Sequence, residues 1–167
     1  QLQEFLFRGD RTLVNHWMRG NYSAEEINGV VAEKVDLPFD ELWKVFVNDC
    51  KTMRVSKEVL GTISGLRDKY ITILTTDNMD SFSRFTRPAL ELDKYFDHVS
   101  NSFYQGLQKP DNGGEIFLKY ANQHGVPVEN CIVFDDSQNV HRVFTELGGT
   151  ACLVTPEQDL MYHLKKI

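Results

Sequence analysis

"CIVFDDSQNV", residues 131–140, decides how this chain folds and where it keeps its charges. Cys131 to Phe134 make an apolar, β-favouring run that ends in two adjacent carboxylates, Asp135 and Asp136. Neighbouring carboxylates repel each other, and desolvating either one is costly unless a cation compensates. Asp136 is expected to be the N-cap of the helix that follows, where a carboxylate meets unpaired N–H groups and the positive helix end. Adjacent strand residues face opposite ways, so Asp135 points elsewhere. One cap and one cation ligand account for both acids.

The flanking segments alternate in type. After the acids, Val140, Val143, Phe144 and Leu147 recur at helical spacing up to Gly148, and "ACLV" (151–154) reads as a strand. Before them, Ile116, Phe117, Tyr120 and Ala121 predict a helix with Gly125 as its C′ residue. Further upstream, "YFDHVS" (95–100) reads as a short strand, preceded by a helical stretch with Phe82 and Phe85 that stops near Pro88. A strand over Ile71 to Leu74 runs into Thr75, Thr76, Asp77 and Asn78. Strands alternating with helices imply an α/β fold, a parallel sheet wound by right-handed crossovers.

The first part of the chain is helical instead. Ser23 with Glu26 three residues on is a capping-box signature, and Ile27, Val30 and Val31 continue it as a stripe. Pro38 closes that segment. Leu42, Trp43, Phe46, Val47 and Cys50 form a second stripe, and a third helix starts at Ser56 with Val59, Leu60, Ile63 and Leu66 inward. The expected division is a helical subdomain over residues 1–55 and an α/β core over residues 56–167.

Composition narrows the function classes. Of 167 residues, 41% are hydrophobic and 25% charged, as in ordinary globular domains. Lys+Arg 18 against Asp+Glu 24 gives 18 − 24 = −6, so no basic face invites nucleic acid or anionic membrane. No apolar run approaches the roughly 18 residues of a membrane span. "QLQEFLFRGD" (1–10) lacks the basic leader and apolar stretch of a signal peptide. Cys50, Cys131 and Cys152 are widely spaced and odd in number, which favours reduced thiols in a cytoplasmic protein over a disulfide frame. Cys131 and Cys152 are expected to be buried within strands. His16, His98, His124, His141 and His163 show no ligand spacing. Trp17, Trp43 and Phe46 are expected in the core of the helical subdomain.

In open parallel sheets, ligands bind beyond the carboxyl ends of the strands. Thr75 and Thr76, Lys109 in "GLQKPD" (106–111), and the acids Asp135 and Asp136 all occupy that kind of position. A hydroxyl, an ammonium and paired carboxylates converging there would suit a phosphate and Mg²⁺, a hard ion that prefers oxygen ligands. Each feature alone has a plain structural role: strand-end threonines cap turns, and a lysine before proline is ordinarily solvated.

The order "ILTTDN" (73–78), "LQKPDNGGEIF" (107–117) and "CIVFDDSQNV" resembles the haloacid dehalogenase-like (HAD) hydrolase superfamily. There, an apolar strand ends in Thr or Ser, a lysine is often followed by proline, and a later strand ends in paired acids. "WMRGNYSAEEI" (17–27) and "FDELWKVF" (39–46) look like the helical cap of many members. The resemblance implies a three-layer, Rossmann-like α/β core and a Mg²⁺-dependent phosphohydrolase acting on a small phosphorylated metabolite. It implies Thr76 as the phosphate-binding hydroxyl, with Thr75 as the rival register, Asp77 beside them in the substrate site, and Lys109 as the stabilising cation. It also implies Asp135 and Asp136 as the metal site, with Asp135 the favoured Mg²⁺ ligand. The implied partner is a small phosphorylated molecule, with neither nucleic acid nor membrane.

The family's first motif, Asp-x-Asp-x-Thr, carries the nucleophile that forms an aspartyl-phosphate and the acid/base that assists it. It is not intact here. In the nearest match, "FLFRGDRTLV" (5–14), Arg8 would stand at the nucleophile position and Asp10 at the acid/base position. Arginine stays protonated and cannot attack phosphorus. Leu2, Phe5 and Leu6 also fit helical spacing, and the chain starts with Gln1. Two expectations therefore stand: "QLQEFLF" is a cap helix with the first strand upstream, or it is a degenerate first strand. A non-catalytic protein on the same scaffold is the alternative to an enzyme.

Overall fold

In the computed structural model, which describes residues 11–167, the helical start is built from short amphipathic pieces. Helix α1 spans Thr12–Met18 and α2 spans Ala24–Val35. The capping box forms as expected: Ser23 accepts from the Glu26 amide while the Glu26 carboxylate accepts from Ser23. Asp36, in the left-handed region, ends α2, and Pro38 becomes the N-cap of α3, Phe39–Thr52. Helix α4, Lys57–Leu66, starts at Ser56, whose hydroxyl accepts from the Val59 amide, and buries Leu60 and Ile63.

The remaining elements alternate. Strand β1 is Ile73–Thr76, two residues later than expected, because Tyr70 and Ile71 are exposed rather than paired. One π-helical turn, Phe82–Thr86, leads into α5, Arg87–Ala89. Strand β2 is His98–Asn101, followed by α6, Ser102–Gln105, and α7, Glu115–Gln123. Gly125 follows α7 with φ +63°, the left-handed conformation expected of a C′ glycine. Strand β3 is Ile132–Asp135, α8 is Gln138–Glu146, β4 is Thr150–Leu153 and α9 is Leu160–Leu164.

All strand pairing among the described residues is parallel, β1 with β2 and β3 with β4. Among those residues nothing pairs β1 to β3, so each strand has one partner. The segment "QLQEFLF", expected as a cap helix or as a first strand, lies outside the described residues.

Two apolar clusters form among the described residues. In the first, Trp17, Ala24, Ile27 and Val31 are buried, and the half-buried Leu42, Trp43 and Phe46, with Met79 and Phe103 from beyond β1 and β2, pack against them. This places the expected aromatics in a core, with Trp17 and Phe46 rings 6.2 Å apart. In the second, Ile116 and Phe117 of α7 meet Val140 and Phe144 of α8 over Val133 and Ala151. Gly149 permits that closeness, since an added Cβ would lie 2.3 Å from the Phe144 ring. Cys131 departs from expectation: it precedes β3, and like Cys152 it is half-buried rather than buried.

The first cluster is tied to β1 by a buried carboxylate. Asp80, 3% exposed, accepts from Trp17 Nε1 at 2.8 Å, from the Ala24 amide at 3.2 Å and from Arg84 at 2.8 Å. A buried charge requires this kind of compensation. Arg84 also pairs with Glu25 and lies over the Phe85 ring. The histidines escaped sequence spacing in one case: His98 and His124 bring their Nε2 atoms within 2.9 Å, joining β2 to the end of α7.

Candidate active site

The carboxyl ends of β1 and β3 face a common group of polar side chains. Strand β1 ends at Thr76, whose register partner is Asn101, with Thr75 opposite Ser100. Thr75, Thr76 and Asp77 line a small open crevice with Ser100, Ser102 and Lys109. Among the described residues neither threonine hydroxyl is spent on a hydrogen bond, so both registers stay open to a ligand.

Lys109 is the centre of this arrangement. Its backbone amide donates to Asp77 Oδ1 at 2.8 Å, which fixes the loop to the end of β1. Its Nζ reaches the end of β3 and pairs with Asp135 Oδ2 at 2.5 Å. That pair is well shielded, the lysine and aspartate side chains being 16% and 9% exposed. Charge-assisted contacts in such surroundings are stronger than in water. Burial pushes the Asp77 carboxyl above its usual value, opposed by the Lys109 amide and ammonium.

Asp135 and Asp136 divide their roles differently from expectation. Ser137, not Asp136, is the N-cap of α8, its hydroxyl accepting from the Val140 amide at 3.4 Å. Asp135 Oδ1 meanwhile accepts from the Ser137 amide at 2.9 Å. Asp136 is left exposed at the turn. A serine is an equally good cap and needs no desolvated charge, so the helix consumes neither acid's full capacity.

Of the site residues expected from sequence, Thr75, Thr76, Asp77, Lys109 and Asp135 therefore come together, with Asp136 beside them in the chain. Asp10 and Arg8 lie outside the described residues. Ser100, Ser102 and Gln105 also line the crevice and were not expected there. The run of small polar residues in "VSNS" (99–102), directly after a strand, was the signal available.

The donors suit a hard cation. Asp135 and Asp136 offer carboxylate oxygens, and no group of three or more His, Cys, Asp or Glu gathers among the described residues. Mg²⁺ commonly takes one or two carboxylates and completes its shell with water and phosphate oxygens, so this set fits it better than it fits a metal needing an all-protein cage.

Comparison with known proteins bears on the family and the fold. The model of the haloacid dehalogenase-like hydrolases matches residues 4–141. No curated protein gives a significant match. Among solved structures, a HAD family enzyme from Bacteroides thetaiotaomicron superposes with TM-score 0.77 at 18% identity, over 97% of this chain and 82% of that one. Its wild-type form was also solved in complex with magnesium and inorganic phosphate, with TM-score 0.75, 18% identity and the same coverage. A predicted HAD-like family hydrolase from Porphyromonas gingivalis gives TM-score 0.75 at 20% identity, over 99% of this chain and 82% of that one. At these identities the likeness concerns the fold. With the family model covering most of the sequence, the chain belongs to the haloacid dehalogenase-like hydrolases.

Proposed function

We propose that the crevice at Thr76, Asp77, Lys109 and Asp135 binds the phosphoryl group of a small phosphorylated metabolite, as part of a Mg²⁺-dependent phosphohydrolase. The observation that carries this is the placement of Lys109, anchored to the end of β1 by its amide and to the end of β3 by its ammonium. A cation held there offsets phosphate charge, and the unspent hydroxyls of Thr75 and Thr76 donate to phosphate oxygens. Asp135 and Asp136 are the residues that would hold Mg²⁺, which would neutralise charge on the transferring group. Residues 1–55 act as the cap over this site and residues 56–167 as the core.

Hydrolysis by the family's covalent route needs a carboxylate nucleophile. The best match in the sequence puts Arg8 at that position, and a guanidinium cannot serve. This favours a second reading, binding of a phosphorylated ligand without turnover. One set of experiments separates the two. Calorimetry with Mg²⁺ and inorganic phosphate tests the site itself, and Asp135→Asn should weaken Mg²⁺ binding more than Asp136→Asn does. Equal or reversed effects would sink the metal assignment. A panel of phosphomonoesters then tests turnover. Absence of hydrolysis together with phosphate binding supports the non-catalytic reading. Mg²⁺-dependent hydrolysis abolished by Asp10→Asn supports the enzyme and gives Asp10 the acid/base role.

A further inference from the structure

Arg19, immediately after α1, makes a two-pronged ion pair with Asp111, its Nε donating to Oδ2 and its second terminal nitrogen to Oδ1, both at 2.9 Å. The two residues are 92 positions apart in sequence. Asp111 also accepts from the Gln108 amide at 2.8 Å, so the same carboxylate closes the loop that carries Lys109. The fork of a guanidinium on a carboxylate fixes direction as well as distance, which a single ammonium contact would not.

The chain around Arg19 is itself held rigidly. The buried Ser102 hydroxyl donates to the Met18 carbonyl at 2.7 Å. Gly20 follows with φ +83°, and a Cβ there would lie 2.6 Å from the Phe103 carbonyl oxygen. Residues 18–20 are thus pressed against the start of α6 on one side and clamped to the lysine loop on the other. Lys109, two residues before Asp111, can place its ammonium at Asp135 only if that loop keeps its path.

Resting on the phosphate-site reading above, we propose that Arg19 is a positioning residue: through Asp111 it sets the loop that presents Lys109 to the ligand. A shift of the helical segment that carries Arg19 is thereby transmitted to the cation of the site, which links cap position to phosphate affinity.

The test combines two measurements on wild type, Arg19→Met, Arg19→Lys and Asp111→Asn. The first is amide hydrogen exchange over residues 107–111, and the second is affinity for inorganic phosphate in the presence of Mg²⁺ by calorimetry. Loss of a charge-assisted pair predicts about tenfold faster exchange at Gln108 and Lys109 and about tenfold weaker phosphate binding in Arg19→Met. Arg19→Lys should fall between wild type and Arg19→Met, since it keeps the charge and loses the fork. A merely structural role would lower the melting temperature without this graded change in affinity. Unchanged exchange at 107–111 overturns the proposal, as does faster exchange with unaltered phosphate affinity. If wild type binds no phosphate, the phosphate-site reading fails and the exchange arm alone decides whether Arg19 sets the loop. Should Arg19→Met not fold, Arg19→Lys carries the same comparison.

Discussion

The two strand pairs are held by opposite means. Around the carboxyl end of β1 and β2 the fixing is polar: Ser100, Asn101 and Ser102 are buried, and the side chains of the last two bond to the chain around them. Asn101 donates to the Met79 carbonyl at 2.7 Å and to Ser83, and Ser102 reaches Met18. Over β3 and β4 the fixing is apolar, with Val140, 1% exposed, and Phe144 packed on Ile116 and Phe117. Hydrogen bonds are directional and fix atoms to fractions of an ångström, whereas apolar burial stabilises without directing. The polar end is therefore suited to hold a ligand's geometry, and the apolar pair to supply stability. Lys109 joins the two, with its amide on one side and its ammonium on the other.

The comparison breaks first at Phe144. Truncation by Phe144→Ala should cost about 3–5 kcal/mol in chemical denaturation, the range for a buried aromatic, with little dependence on pH or salt. A cost no larger than that of the polar deletions below would mean the apolar pair is not the stabilising half. Lys109→Met comes next. It leaves Asp135 shielded and unpaired, at a cost of about 1–3 kcal/mol, and should weaken phosphate binding at least about tenfold. Adding Asp135→Asn to it should recover much of the stability and none of the affinity; recovery of both would remove the lysine from the site.

Ser102→Ala tests the polar end and should cost about 1–2 kcal/mol, because the Met18 carbonyl loses a buried donor. Here melting should fall less than for Phe144→Ala while phosphate affinity falls more. Ser137→Ala removes the cap of α8 and should cost about 1 kcal/mol with phosphate affinity kept.

The smallest effect has the opposite sign. Burial raises the Asp77 carboxyl, so its ionisation costs stability above the raised value in the folded state and costs nothing below the unfolded value. Asp77→Asn should raise the melting temperature slightly at neutral pH and leave it unchanged in acid. Asp111 behaves conversely: burial raises its carboxyl, but the Arg19 and Gln108 hydrogen bonds outweigh this and hold it low. Its contribution is present above the unfolded value and lost as pH falls through the folded one. Stability profiles of Asp77→Asn and Asp111→Asn that run parallel with pH would contradict both assignments.

Much of this was legible in the residues because it rests on local rules. The Ser23–Glu26 box, the start of α4 at Ser56 and the glycine after α7 depend on backbone groups within one turn, and the structure has each where spacing puts it. Alternating strands and helices likewise announce the α/β core, and strand ends carrying Thr76 and Asp135 announce which face holds the site. Boundaries were less legible: Ile71 is apolar but exposed, and β1 starts at Ile73. The capping of α8 went to Ser137 because two good caps stood side by side, and local preference does not rank them.

What only the tertiary structure decided are contacts between residues far apart in the chain. Nothing in "HWMRG" (16–20) says that Arg19 meets Asp111, or that Trp17 shares Asp80 with Ala24 and Arg84. By itself the sequence determined the alternation of strands and helices, the family and which polar residues stand at the strand ends. The fold determined that Lys109 reaches Asp135 and that the helical segment grips the loop carrying it. The physical reason is that periodicity and capping act over a few residues, whereas an ion pair forms only where packing brings two distant side chains within reach and shields them from water.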